Sequence, residues 1–153
     1  MSTVEEANKA VIRRYFEEVR TQGKLDVIDE LFAREFTRLR PGGIKRPGQH
    51  EGLKGGVATW RTAFPDHRDT ILSLVAEGDR VAAQVAFSGT HAGVLHFGQI
   101  GPWAPTGRRV EGWEFFHYRL AGGQIVEVAA LWDPLDLLAQ LGLGATFAPR
   151  DTP

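Results

Sequence analysis

Glu114 is the side chain whose surroundings most suggest chemistry in this 153-residue sequence. It stands in VEGWEFFHYRL, flanked by Trp113, Phe115 and Phe116. A carboxylate among aromatic residues in a strand either faces solvent or is buried as a poised acid or base. His91 closes an alternating apolar strand and can carry protons near neutral pH. Tyr15, in VIRRYFEEV, lies on the apolar face of the first helix and has a hydroxyl that needs a partner. Arg40, in TRLRPGG, cannot act as a base but can bind a carboxylate or enolate oxygen of a ligand. Each has a structural alternative as well: a solvated strand Glu, a satisfied core His, a core Tyr bonded to the backbone, a loop Arg. His50, His67 and His96 fall near loops, and His117 has the opposite parity to Glu114. No HxH or HxxxH spacing occurs, so no metal site is expected. With no cysteine, disulfides, thiolate metal ligands and a Cys nucleophile are excluded. GxSxG does not occur, and GLKGGV at 52–57 lacks the spacing and preceding strand of a phosphate loop.

The elements that must position these groups read as helices first and strands after. Val4, Ala7, Val11, Ile12, Tyr15, Phe16 and Val19 fall at helical spacing, and Gly23 stops that helix. A second, short helix carries Val27, Ile28, Leu31 and Phe32. Residues 35–39 form a short strand ended by Pro41-Gly42-Gly43. Leu53, Val57, Trp60 and Phe64 predict a third helix over 51–64, ended by Pro65. Gly52, Gly55 and Gly56 weaken it intrinsically and are expected to allow close packing. Strands at 68–77 and 80–91 flank a Gly78-Asp79 hairpin turn. Leu72, Leu74 and Ala76 alternate on one face; Val81, Ala83, Val85 and Phe87 do so on the partner. The segment 93–106, with His96, Phe97, Ile100 and Trp103, reads as a lid or a dimer contact. Strands at 108–120 and 124–132 form the last hairpin around Gly122-Gly123. A three-residue turn with a bulge sets Glu114 opposite Ala130; a two-residue turn sets it opposite Leu131. Asp133-Pro134-x-Asp136 reads as a helix N-terminus. One domain over 1–144 and a flexible tail over 145–153 are expected.

Hydrophobic residues make up 42% and charged residues 24%, with a net charge of −1, the profile of a globular chain with one core. No general excess of positive charge attracts nucleic acid. Neither a secretory leader nor an apolar run long enough to span a membrane is visible, so a cytoplasmic location is expected.

The order of elements, the tetrad PTGR at 105–108 and the terminal LAQLG resemble the SnoaL-like polyketide cyclases over residues 8–142. These belong to the nuclear-transport-factor-2-like, or ketosteroid-isomerase-like, folds. The resemblance implies an α+β cone-shaped barrel: a curved antiparallel sheet packed against three N-terminal helices around a ligand pocket. In that family the last strand carries an acid/base Asp, and Ala130 stands at its place. The first helix is similar to that of ketosteroid isomerases, which implies that Tyr15 donates to an oxyanion. Arg40 takes the place of their base, and Leu39 is apolar where many relatives are polar. Glu114, Tyr15 and His91 are therefore the expected catalytic residues. Arg40, Leu39, Trp60, Phe64, Trp103, Phe116, Val128 and Ala130 are the expected substrate contacts. The implied activity is cofactor-free ring closure or isomerisation of a hydrophobic polyketide-like or terpenoid-like molecule, by aldol-type acid/base chemistry or shape-driven pericyclic closure. A non-catalytic ligand carrier is the alternative from another class. A limonene-type epoxide hydrolase is a further one, disfavoured because its Asp-Arg-Asp set lacks a last-strand Asp here. By analogy the protein is expected to be a homodimer paired through its open sheet face.

Overall fold

The structure, a computed structural model, describes residues 3–97 and 100–144. The expected tail, and residues 98 and 99 of the expected lid, lie outside them. Helix α1, Thr3–Arg14, runs on as a π-helical stretch, Tyr15–Thr21, and the chain turns at Gly23 with φ +74°. A 3₁₀ turn, Leu25–Val27, leads into α2, Ile28–Leu31. Strands β1, Phe32–Arg40, and β2, Ile44–Gly48, precede α3, His50–Ala63. Next come β3, Arg68–Glu77, and β4, Arg80–Thr90, followed by the short strands β5, Leu95–Phe97, and β6, Ile100–Trp103. The chain closes with β7, Arg109–Ala121, β8, Gln124–Trp132, and α4, Pro134–Gln140. None of the described helices is long and apolar enough to cross a membrane.

Six strands form one sheet in the order β2-β1-β8-β7-β4-β3, and β5 pairs with β6. The sheet is curved, packs on the N-terminal helices and is open, with β2 and β3 as edges. The expected α+β class and the curved sheet on N-terminal helices are found; the sheet itself does not close into a barrel. The expectation of a wholly antiparallel sheet is corrected too, because β1 lies parallel to β8. Most of the chain separates these two strands, so no hairpin forces them antiparallel. β2, β5 and β6 were not expected, and Phe32 opens β1 instead of ending the second helix. α3 ends at Ala63 because Phe64 precedes Pro65 and takes φ −126°, ψ 78°. Gly52, Gly55 and Gly56 lie on its solvent side with nothing near, so they do not serve close packing.

Two bulges decide which side chains reach the inner face. In β3 the register slips between Ile71 and Ser73, so Ile71, Leu74 and Ala76 pack on the core while Leu72 is 47% exposed. Plain alternation had put Leu72 inside. In β8 the slip leaves Val126 unpaired beyond a two-residue Gly122-Gly123 turn, both at positive φ as a type I′ turn requires. Phe116 therefore faces Ala130 and Glu114 faces Trp132, neither of the partners expected.

One core cluster joins α1, α2 and the centre of the sheet, with Phe16, Phe32, Phe116 and Tyr118 among its members. A second joins the end of α3 to β5 and α4, around Phe64, Phe87, Leu95 and Leu137.

Candidate active site

Directly opposed strand residues share a face. Phe116 packs edge-on against Phe16 of the helix, at 5.0 Å, so its face is the inner one. Glu114, two residues along β7, shares that face between Val85 of β4 and Trp132 of β8. Ala130, opposite Phe116, is exposed although it faces inward, so the sheet is open above it. Glu114 lies diagonally from Ala130, a separation of about 7–8 Å that a long side chain reaches.

Glu114 is not alone. Its Oε2 accepts a short hydrogen bond from Nη2 of Arg20. Arg20 also donates from Nε to Oδ2 of Asp69, at 2.7 Å, and from Nη2 to Asp69 Oδ1, at 3.3 Å. His67 Nε2 lies 3.1 Å from Asp69 Oδ1, and Trp60 Nε1 donates to His67 Nδ1 at 2.9 Å. The Trp60 donor requires a lone pair on Nδ1, which places the His67 proton on Nε2, where it donates to Asp69. The result is a line of side chains from Trp60 through His67, Asp69 and Arg20 to Glu114, carrying two carboxylates on one guanidinium. Arg20 lies over the rings of Phe16 and Phe116, at 5.4 and 5.1 Å, which favours its cation further.

The charges follow from this geometry. Burial opposes ionisation of Asp69, yet the Arg20 charge and the His67 hydrogen bond outweigh it and hold its pKa below the usual carboxylate range. Burial likewise disfavours the Arg20 cation, but Glu114 and Asp69 drive its pKa far above the ordinary arginine value. Asp69 is fully enclosed with both oxygens engaged. Glu114 keeps a 15% exposed side chain and one oxygen with no hydrogen bond among the described residues. That oxygen is the carboxylate position of the cluster left open to a ligand.

Local chain geometry puts these groups together. In an α-helix, residues five apart diverge by roughly 140°. The wide π turn from Tyr15 brings Arg20 back toward the face that holds Tyr15, Phe16 and Val19. Nη1 of Arg61 on α3 donates to the carbonyls of Arg20 and Thr21, both at 2.8 Å, capping that stretch. A side chain at Gly23 would meet Arg61 Nε at 2.8 Å. The Asp69 N–H donates to Thr21 Oγ1 at 3.0 Å, and the β3 bulge turns the Asp69 side chain inward, level with Phe87.

The other expected site residues are spread more widely. Tyr15 is 5% exposed, and its hydroxyl has no hydrogen bond among the described residues. Burial raises its pKa, so it is a neutral donor. Phe116, Val128 and Ala130 share the inner face. Trp60 packs edge-on against Trp132, which meets Phe97 of β5, itself against Trp103 of β6. The segment expected as a lid or a dimer contact thus holds the paired strands β5 and β6, packed through Phe97 on Trp132 at the end of β8. Phe64 and His91 do not join the site: both are fully buried and their tilted rings pack together with centres 5.5 Å apart. The Thr106 N–H donates to His91 Nδ1 at 3.2 Å, so His91 fastens the segment before β7. Leu39 pairs with Ala129 and lies on the outer face, a correction that follows from the β1–β8 register. Arg40 is exposed at the end of β1. Asp133 caps α4 by accepting from the Asp136 N–H at 3.0 Å, as expected. Arg20, Asp69 and His67 were missed. A groove of about 680 Å³ along the first helix and β3 is lined by Phe16, Thr21 and Asp69 but not by Glu114.

The sequence profile of the SnoaL-like polyketide cyclase family matches residues 10–141. No curated protein matches significantly. A candidate SnoaL-like polyketide cyclase from Jannaschia sp. CCS1 shares the fold with TM-score 0.79 at 22% identity, over 95% of this chain and 98% of that one. A candidate polyketide cyclase from Acidithiobacillus ferrooxidans has TM-score 0.76 at 27% identity, over 93% and 98% of the two chains. IdmH of Streptomyces antibioticus, a candidate polyketide cyclase, has TM-score 0.73 at 30% identity, over 89% and 99%.

Proposed function

Since this chain belongs to the SnoaL-like polyketide cyclase family, we propose that it closes a ring in a hydrophobic, polyketide-like or terpenoid-like molecule without a cofactor. The observation that carries this reading is Glu114, held by Arg20 through one oxygen and free at the other, beside the open face over Ala130. In an aldol-type closure the free oxygen removes a proton from a carbon next to a carbonyl. The electron pair moves to the carbonyl oxygen, to which the Tyr15 hydroxyl donates. The enolate carbon then bonds to a second carbonyl carbon of the same molecule, and the new alkoxide regains the proton from Glu114. Arg20 stays cationic and keeps the carboxylate aimed; Asp69 and His67 keep Arg20 aimed.

The test is turnover of a linear diketone able to close a six-membered ketol, followed by chromatographic loss of the open-chain diketone. Glu114→Gln is expected to lower kcat by about 10²-fold or more, with KM little changed. A variant as active as the wild type sinks the acid/base reading and leaves shape-driven closure, which Ala130 in place of the family Asp favours. Saturable binding without turnover by the wild type favours a ligand carrier. Epoxide hydrolysis by Asp69, Arg20 and Glu114 is the weaker reading, because Asp69 has no oxygen free to meet water. We further propose that the protein works in the cytoplasm as a homodimer paired through the outer sheet face, without nucleic acid or membrane partners.

A further inference from the structure

Three guanidiniums stand on the inner side of the β1–β2 hairpin. Arg38 is level with Val128, which faces Tyr118, so Arg38 shares the inner face. Arg46 is paired with Arg38, and Arg40 lies two residues further along β1, paired with Ile44. All three are exposed, and none has a carboxylate partner among the described residues. Elsewhere Arg14, Arg20, Lys54 and Arg80 each meet at least one carboxylate. Like charges set directly opposite each other destabilise a sheet. The Arg38–Arg46 pair is therefore a local cost that nothing in the described chain offsets, and an anion would remove it.

A second observation comes from the interior. Tyr15 is 95% buried by its 5% exposure, and its hydroxyl has no protein partner among the described residues. The charge of Arg38 acts on this phenol, as do those of Arg20 and Glu114. Its hydroxyl is not among the side-chain atoms sealed from solvent, so the inner face is open to a ligand there. Tyr15 thus feels both the Glu114 carboxylate and the unpaired Arg38.

We infer that Arg38 and Arg40 form an oxyanion-binding end of the ligand site, so that the ligand is an apolar molecule ending in a carboxylate or phosphate. The planar fork of arginine suits either group. The inference rests on the inner face being the ligand face and names the class of ligand it takes. The anion at β1 fixes the orientation and leaves the apolar body to run toward Glu114 and Trp132.

The test uses three probes of one chain length, decanoate, decyl phosphate and decan-1-ol, with binding read by tryptophan fluorescence. The wild type is expected to bind at least one anion about tenfold or more tighter than the alcohol, and the tighter anion identifies the group recognised. Arg38→Gln with Arg40→Gln is expected to erase that preference while leaving the alcohol unchanged. Lys45, paired with Leu39 and so on the outer face of the same hairpin, supplies the control. Lys45→Gln is expected to keep the preference; if it loses as much as the double variant, the effect is general surface charge and the inference falls. Equal binding of all three probes by the wild type overturns the inference and leaves the ligand face standing. Failure of all three to bind overturns both.

Discussion

Asp69 decides whether Glu114 is usable, because Arg20 needs a second anchor to hold a carboxylate in one place. Its pKa is held below the ordinary value of about 3.9. A folded-state pKa below the unfolded one gives stability that is complete above about 3.9 and is lost as pH falls through the folded value. The wild type is therefore expected to lose stability on acidification below about pH 4. Asp69→Asn is expected to cost about 3 kcal/mol or more at neutral pH, since it strips one partner from a mostly buried guanidinium. It should also flatten the acid limb of the stability profile, measured by urea unfolding across pH. An unchanged acid limb in the variant would remove Asp69 from this role. Glu114 could be singled out in the sequence by its aromatic neighbours, but its facing could not, because it depends on the register of β7 with its partners. Arg20 and Asp69 were not legible. Five residues separate Arg20 from Tyr15, which a regular helix places on different faces, and Asp69 has the parity of an outward residue until the bulge is counted. His67 looked like a loop residue because its burial comes from Trp60 and Asp69, neither evident from sequence spacing.

At the scale of elements, the site depends on two departures from regular geometry, the π turn after Arg14 and the bulge at Leu72. A bulge adds one unpaired residue, and removing it inverts the facing of everything beyond. Deletion of Leu72 offers β3 two choices. Either Asp69 swings outward and Arg20 loses its anchor, or Leu74 and Ala76 leave the core. Both are destabilising, and the first also releases Glu114. The deletion is expected to lower the unfolding midpoint in urea and to abolish the cyclisation activity proposed above. A deletion variant of wild-type stability and activity would mean that the bulge does not aim Asp69. The hairpin turns and the end of α3 could be read from sequence because Gly and Pro act locally. The partnering of β1 with β8 could not, since it joins segments with most of the chain between them and carries no turn signal.

The sheet of the whole molecule has two unlike faces. The inner one carries the site; the outer one is unusually apolar. Val75, Trp113, Phe115 and Leu131 are 63%, 59%, 52% and 59% exposed. Phe115 and Leu131 are directly paired, and a groove of about 420 Å³ runs past them and His117. Apolar patches of this kind mark docking surfaces, and a self-complementary dimer needs about 800 Å² from each partner. The proposed homodimer uses this face, and a two-fold interface there would set each substituted residue against the same patch of a second copy. Phe115→Asp should therefore convert the dimer to a monomer in sedimentation equilibrium, with little change in circular dichroism. Because Phe115 points away from Glu114, the monomer should retain the ligand preference set by Arg38 and Arg40. A wild type that stays monomeric up to high micromolar concentration would reject the homodimer. A variant that dissociates and also loses ligand binding would show that pairing on the outer face holds the inner one in shape, and that the two faces are coupled through the single layer of the sheet.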